Sequence, residues 1–300
     1  MKLDYKILWL DDKMDVILEG QYDMEISTHI ASQGFNPIII TAKNEKEFFT
    51  KLDDSYDLIL TDYHLNESEG SVRDGDAIIN DVRNLSIFTE IMFYSAQGEV
   101  VDTVKLDRIT FVDTRKSLIR NHNDAVIAKA IDLIDLTIKK FQHIVTMRGM
   151  IMNETSSLDL FMHKILALII EKSGNKDAAI KIIKDKYKKS NNEFNDQIER
   201  FEDIDDILLK IGSSHKLRGI LRNIPDNEIK TILNDYEKEI ITTRNKFAHA
   251  VLMKDEETGR EYFEDKKGGR TFDDTECKNI RLQILKHKSN LEALNAILGN

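Results

Sequence analysis

The stretch "KILWLDDK", residues 6 to 13, sets an apolar run of strand length directly against two consecutive carboxylates. Four more such runs follow: "PIIIT" (37 to 41), "DLILT" (57 to 61), "IMFYS" (91 to 95) and "ITFV" (109 to 112). The segments between them carry apolar residues at three- and four-residue spacing, the mark of helices. Five strand-helix units in that rhythm predict a parallel sheet covered on both faces; the pattern alone does not fix the strand order, but five such units in about 120 residues suit 2-1-3-4-5.

Beyond residue 123 the pattern turns helical almost throughout. "AVIAKAIDLIDLTIKKFQHIVTMRGMIM" keeps its apolar spacing with no proline, which predicts that the last helix of the sheet domain runs straight on into a second domain. Further helices are expected at 154 to 173, 175 to 189, 194 to 211, 214 to 223, 226 to 250 and 274 to 298. One stretch, "LMKDEETGREYFEDKKGGRTF", interrupts them, and its "ETGR" followed by "EYF" reads as a hairpin turn. The expected division is a sheet domain over 1–145 and a helical bundle over 146–300.

Charge divides along the same line. Residues 1 to 140 hold 16 Lys and Arg against 26 Asp and Glu, which accounts for the whole net charge of −10, and the remainder is balanced at 27 against 27. The acidic half repels nucleic acid, whereas the neutral half, with clusters such as "KIIKDKYKK", tolerates it. Only "HKLRGILRNIPDNEI" faintly resembles a helix-turn-helix, which argues against a DNA-binding transcription factor. A single cysteine, Cys277, fits a reducing compartment, and apolar runs such as "ILALII" are too short to span a bilayer. A cytoplasmic protein with no membrane partner is the expectation.

In the 2-1-3 order, Asp11 and Asp12 at the end of the first strand neighbour Asp62 at the end of the third. Open α/β sheets bind ligands at that crevice. Three like charges there repel, and a hard divalent cation with oxygen ligands relieves them. One carboxylate is then able to attack a phosphoryl group. Ser95 ends the fourth strand and Lys116 follows the fifth, a hydroxyl and an ammonium suited to a bound phosphoryl.

These residues resemble the receiver domain of two-component response regulators, a flavodoxin-like fold. The likeness covers roughly residues 4 to 140 and rests on "LWLDDK", "LILTDYHL", "FYSA" and "RKS". It implies that Asp62 accepts a phosphoryl group from a histidine kinase or another phosphodonor. It also implies that Asp11, Asp12 and Asp62 hold Mg²⁺, that Ser95 and Lys116 contact the phosphate, and that Phe111 is an aromatic switch. The chain departs from the pattern in three places: Ser117 stands where the family has proline, Arg115 competes for the lysine's role, and a long loop carries "NESEGSVR" before Asp74 and Gly75.

The helical half holds "RNKFAH", within "ITTRNKFAHAVL" (241 to 252), expected as one helix. Asn245 and His249, four apart, share a face, while Arg244 and His249, five apart, are separated by about 140°. Asp235, Glu237 and Glu239 are the carboxylates nearest in sequence. The motif resembles the Arg, polar, any three, His signature of the HEPN superfamily, over about residues 148 to 298. That resemblance implies a helical homodimer whose motifs face one another, forming a metal-independent endoribonuclease in which the RNA 2′-hydroxyl attacks the adjacent phosphate. His249 then serves as general acid or base, Arg244 stabilises the phosphorane and Asn245 orients the pair, with no cofactor. Glu154 and Asp159 are pocket candidates on the first helix, and Arg148 is a further candidate RNA contact. The alternative is a non-enzymatic response regulator whose helical half dimerises or binds a partner or nucleotide.

Overall fold

A computed structural model describes residues 3–63, 65, 75–96, 108–141, 144–172, 174–190, 207–208, 211–221, 226–265 and 269–299. It divides into two compact units, one over Lys2–His143 and one over Ile144–Asn300 together with Met1.

The first unit is built on five parallel strands: β1 (Asp4–Leu10), β2 (Asn36–Ala42), β3 (Leu58–Asp62), β4 (Glu90–Ser95) and β5 (Ile109–Asp113). Their order is β2-β1-β3-β4-β5, the one that suits five such units. Burial explains why "ILWL" (7 to 10) is apolar at every position: Ile7, Leu8, Trp9 and Leu10 are each at most 1% exposed, as a parallel sheet covered on both faces demands. Between β1 and β2 the chain makes two helices, α1 (Met14–Glu19) and α2 (Tyr22–Ser32). The break falls at Gln21, in the left-handed region with φ 58°. Then come α3 (Glu45–Lys51), which Asn44 caps by accepting from Glu47 N at 2.9 Å, α4 (Gly75–Asn84) and α5 (His122–Phe141). The "NESEGSVR" loop and the 97–107 stretch lie outside the described residues.

The second unit opens on α6 (Ile144–Lys172); the expected run of α5 straight into it turns on residues 142 and 143, which lie outside the described residues. After α7 (Lys176–Ser190) most of the helix expected over 194 to 211 is also outside. Next are α8 (Ser213–Leu221) and α9 (Asn227–Tyr236), a π-helical turn over Glu237–Ile241, and α10 (Thr242–His249). The antiparallel strands β6 (Val251–Lys254), β7 (Glu261–Asp265) and β8 (Arg270–Phe272) precede α11 (Asp274–Gly299).

Two differences from the sequence reading stand out. The hairpin turn at Asp255–Gly259 is present, but a third strand joins it. The "ITTRNKFAHAVL" helix stops at His249, because Ala250 is extended and Arg148 caps the helix end by donating to Ala248 O and Ala250 O. Arg148 also stacks over the Phe263 ring at 4.7 Å. That ring meets Phe247 edge-on, and Phe247 stacks on Phe272.

Cys277 is 1% exposed, and burial pushes its thiol up to about 12 despite the neighbouring Arg281. The thiolate is the reactive form, so the native protein at pH 8 should resist thiol reagents and react stoichiometrically only in denaturant. Rapid labelling of the folded chain would contradict this core position.

Candidate functional site

Parallel pairing builds the first site. Leu10 pairs with Ala42 on one side and Thr61 on the other, so Asp11 leaves β1 level with Asp62 at the end of β3. Asp11 N donates to Ala42 O at 3.0 Å, which fixes the turn. Asp11, Asp12 and Asp62 thus come together, with carboxylate oxygens within 4.8 Å of one another. A magnesium ion with ligands at about 2.1 Å separates them by roughly 3 to 4.2 Å, so small side-chain rotations fit the trio to one hard cation.

Asp11 is the deeply buried member at 5% exposure. Its carboxylate accepts from Tyr94 Oη and, at 2.7 Å, from Lys13 N. Burial pushes its carboxyl above the usual range and the Asp12 charge adds to this, while those two hydrogen bonds and His122 pull the other way. Tyr94 is itself held by Trp9 Nε1, which donates to its hydroxyl at 2.8 Å. Burial and the Asp11 charge raise the Tyr94 phenol well above its ordinary value, so it remains a donor. The sequence reading passed over Tyr94; its signal was a polar-tipped aromatic, one residue from a strand end, within an otherwise apolar strand.

Ser95 closes β4, buried at 5%, opposite Asp113 in β5. Thr114 donates to Ser95 O at 3.1 Å, which leaves its oxygen to accept from His122 Nδ1 at 2.7 Å. Lys116 lies apart from this network. Its side chain is 72% exposed and its ammonium sits 3.5 Å from Asp113 Oδ2, while Arg115 Nε donates to Asp113 Oδ1 at 3.2 Å. Both cations of the turn are therefore drawn to Asp113, whose carboxyl Arg115 holds below the usual range. Phe111 stacks on Phe93 at 5.6 Å and meets Tyr63 edge-on, forming an aromatic group beside Asp62.

The second site lies in the helical unit. Arg244 is held by Asp159 from α6, and the two side chains are 17% and 14% exposed. Asp159 Oδ1 accepts from Tyr236 Oη at 2.9 Å and its Oδ2 from Ser213 Oγ at 2.6 Å. The π turn makes this possible. In an unbroken α-helix Tyr236 and Arg244, eight apart, diverge by about 80°; one extra residue in the turn returns them to within roughly 20°. Asn245 Oδ1 accepts from Arg244 Nε at 3.3 Å and Nη2 at 3.1 Å. Asn245 and His249 are exposed, and His249 makes no hydrogen bond among the described residues.

The carboxylates expected from sequence proximity are engaged elsewhere, Glu237 with Arg218 at 2.7 Å and Glu239 with Lys286 and His287 at 2.9 and 2.8 Å. Asp159, not these, partners the arginine. Glu154, five residues earlier on α6, points about 140° away and accepts from Asn153 at 3.4 Å.

Comparison with solved structures returns a response regulator receiver domain protein from Clostridium thermocellum, 17% identical, at a TM-score of 0.29, covering 44% of this chain and 98% of that one. No protein-family model and no curated protein matches the chain. Among the described residues, no helix is long and apolar enough to cross a membrane.

Proposed function

We propose that this protein is a phosphorylation-responsive signalling effector: a receiver-like sheet unit, phosphorylated at Asp62, that controls a dimeric, metal-independent endoribonuclease in the helical unit. The observation that carries the first half is the convergence of Asp11, Asp12 and Asp62 at the ends of adjacent parallel strands. When bound by these acids, Mg²⁺ supplies charge neutralisation on the transferring oxygens. An Asp62 carboxylate oxygen forms a bond to phosphorus as the bond to the donor's leaving group breaks, with a histidine kinase or acyl phosphate as donor. Tyr94 keeps Asp11 turned into the crevice, and the Ser95 hydroxyl at the end of β4 receives a phosphoryl oxygen. Lys116 reaches the phosphoryl by exchanging Asp113 for it, a swap its exposure allows.

In the helical unit, Asp159 orients the Arg244 guanidinium toward a phosphodiester, and the exposed His249 exchanges protons with the reacting oxygens. The 2′-oxygen bonds to phosphorus while the bond to the 5′-oxygen breaks, giving 2′,3′-cyclic phosphate and 5′-hydroxyl ends. Two protomers pairing through this unit bring their exposed Asn245 and His249 faces together.

One observation favours the second reading, a non-enzymatic regulator. Asp159 and Asn245 already occupy much of the guanidinium, as in a purely structural link.

The test of the phosphoryl half is intact-mass measurement after treatment with acetyl phosphate. The wild type gains one phosphoryl group with Mg²⁺ and none with EDTA, and Asp62→Asn gains none. Equal labelling of Asp62→Asn would remove Asp62 from the mechanism.

A further inference from the structure

Lys216 is an unusual lysine: its side chain is 9% exposed and makes no hydrogen bond or ion pair among the described residues. Lysine is almost never fully buried unless it is paired. Its place in the fold says what surrounds it. Ser213 and Lys216 are three apart on α8, on one face of that helix, and Ser213 donates to the same Asp159 oxygen that holds Arg244. Lys216 therefore stands beside the Asp159 and Arg244 pair, and both act on it electrostatically.

Among the described residues, the charges around that point are two cations, Lys216 and Arg244, against one carboxylate. Asp159 already accepts from Ser213, Tyr236 and Arg244, and the Lys216 ammonium makes no hydrogen bond to it among the described residues. The stem of Lys216 is buried while its ammonium is not among the buried atoms left without a partner, so the charge sits where an anion from solvent can reach it and offset the partial desolvation. Burial indeed lowers the Lys216 ammonium below its usual value, and the Arg244 charge adds to the effect against the pull of Asp159.

We infer that Lys216 is a second anion-binding residue of the helical site and receives a phosphate oxygen of the bound RNA alongside Arg244. This rests on the ribonuclease reading for the identity of the ligand, but the anion site itself does not. Arg244 offers a planar fork and Lys216 a compact point charge, a pairing suited to holding two oxygens of one phosphodiester. Pairing Lys216 with the phosphate balances a cluster that carries one more cation than carboxylate among the described residues.

The experiment measures two properties of full-length protein: affinity for a fluorescent RNA oligonucleotide with 2′-deoxy substitution, and the rise in Tm caused by inorganic phosphate. Lys216→Met should weaken oligonucleotide binding by about tenfold to hundredfold, the loss of one hydrogen bond to a charged group. It should also abolish most of the phosphate-dependent rise, while its Tm without phosphate stays at or above that of the wild type. Lys216→Arg should retain most of the binding. If Lys216→Met binds the oligonucleotide and responds to phosphate like the wild type, the inference is overturned and the ribonuclease reading stands. Phosphate stabilisation through Lys216 in a protein that neither binds nor cleaves RNA keeps the anion site and overturns the RNA ligand. A wild type that responds to neither probe overturns both.

Discussion

His249→Ala should reduce RNA cleavage by about a hundredfold to ten-thousandfold, the range for losing a positioned general acid or base, with EDTA making no difference. The variant is a clean one. His249 is exposed at the end of α10 and bonds nothing among the described residues, so its loss should leave folding unchanged. Arg244→Ala should abolish cleavage just as fully, but through two effects. It removes the group that meets developing charge on phosphorus, typically a loss of at least a hundredfold. It also leaves the Asp159 carboxylate, 14% exposed, with only Ser213 and Tyr236 as donors, at a cost of about 3 kcal/mol in stability. Arg244→Lys, which keeps the charge, separates the two: it should recover much of the stability and little of the cleavage, since a lysine lacks the planar fork. The measurement is gel-resolved cleavage of single-stranded and structured RNA pools beside thermal denaturation. Full activity in His249→Ala would transfer the weight to the non-enzymatic reading.

The second large effect is on regulation. In the wild type, acetyl phosphate with Mg²⁺ should change both the cleavage rate and the oligomeric state, and Asp62→Asn should erase both responses while leaving basal cleavage in place. The substitution removes the attacking carboxylate without removing bulk, and Asp11 remains fixed by Tyr94 and Lys13. Coupling of this kind requires that the phosphoryl group favour one of two arrangements of the chain, since a modification that binds both equally shifts nothing. The Tyr63, Phe93 and Phe111 rings beside Asp62 are the packed group that such a shift would disturb first. Size-exclusion chromatography with light scattering, run beside the cleavage assay, reads both responses.

Much of the sheet unit was legible because burial on both faces forces the middle of the central strands to be apolar. "KILWL" and "DLILT" carry that demand openly, and acids at their ends then converge by parallel pairing alone. Lys116 was harder to place. Its place after β5 suggested the crevice rim, and in the fold its exposed ammonium lies 3.5 Å from Asp113, three residues before it, an acid whose role the strand pattern does not announce. In the helical unit the spacing of "RNKFAH" sets Asn245 and His249 on one face, and in the fold Asn245 bonds Arg244. The partner of Arg244 was less visible. Asp159 lies 85 residues away on another helix, and Tyr236 reaches it only through a π turn that apolar periodicity does not register. Lys216 gave no signal at all, because a lysine in an amphipathic helix reads as solvated until the fold buries it.

The central claim is that phosphorylation of one unit sets the nuclease activity of the other. The measurement that tests it most directly is the rate of EDTA-resistant RNA cleavage by wild type and Asp62→Asn, each treated beforehand with acetyl phosphate and Mg²⁺ or with buffer. The account predicts 2′,3′-cyclic phosphate products, a rate that differs between treated and untreated wild type, and a single rate for Asp62→Asn. Absence of cleavage under every condition, or identical rates in treated and untreated wild type that mass measurement shows to be phosphorylated, would contradict it.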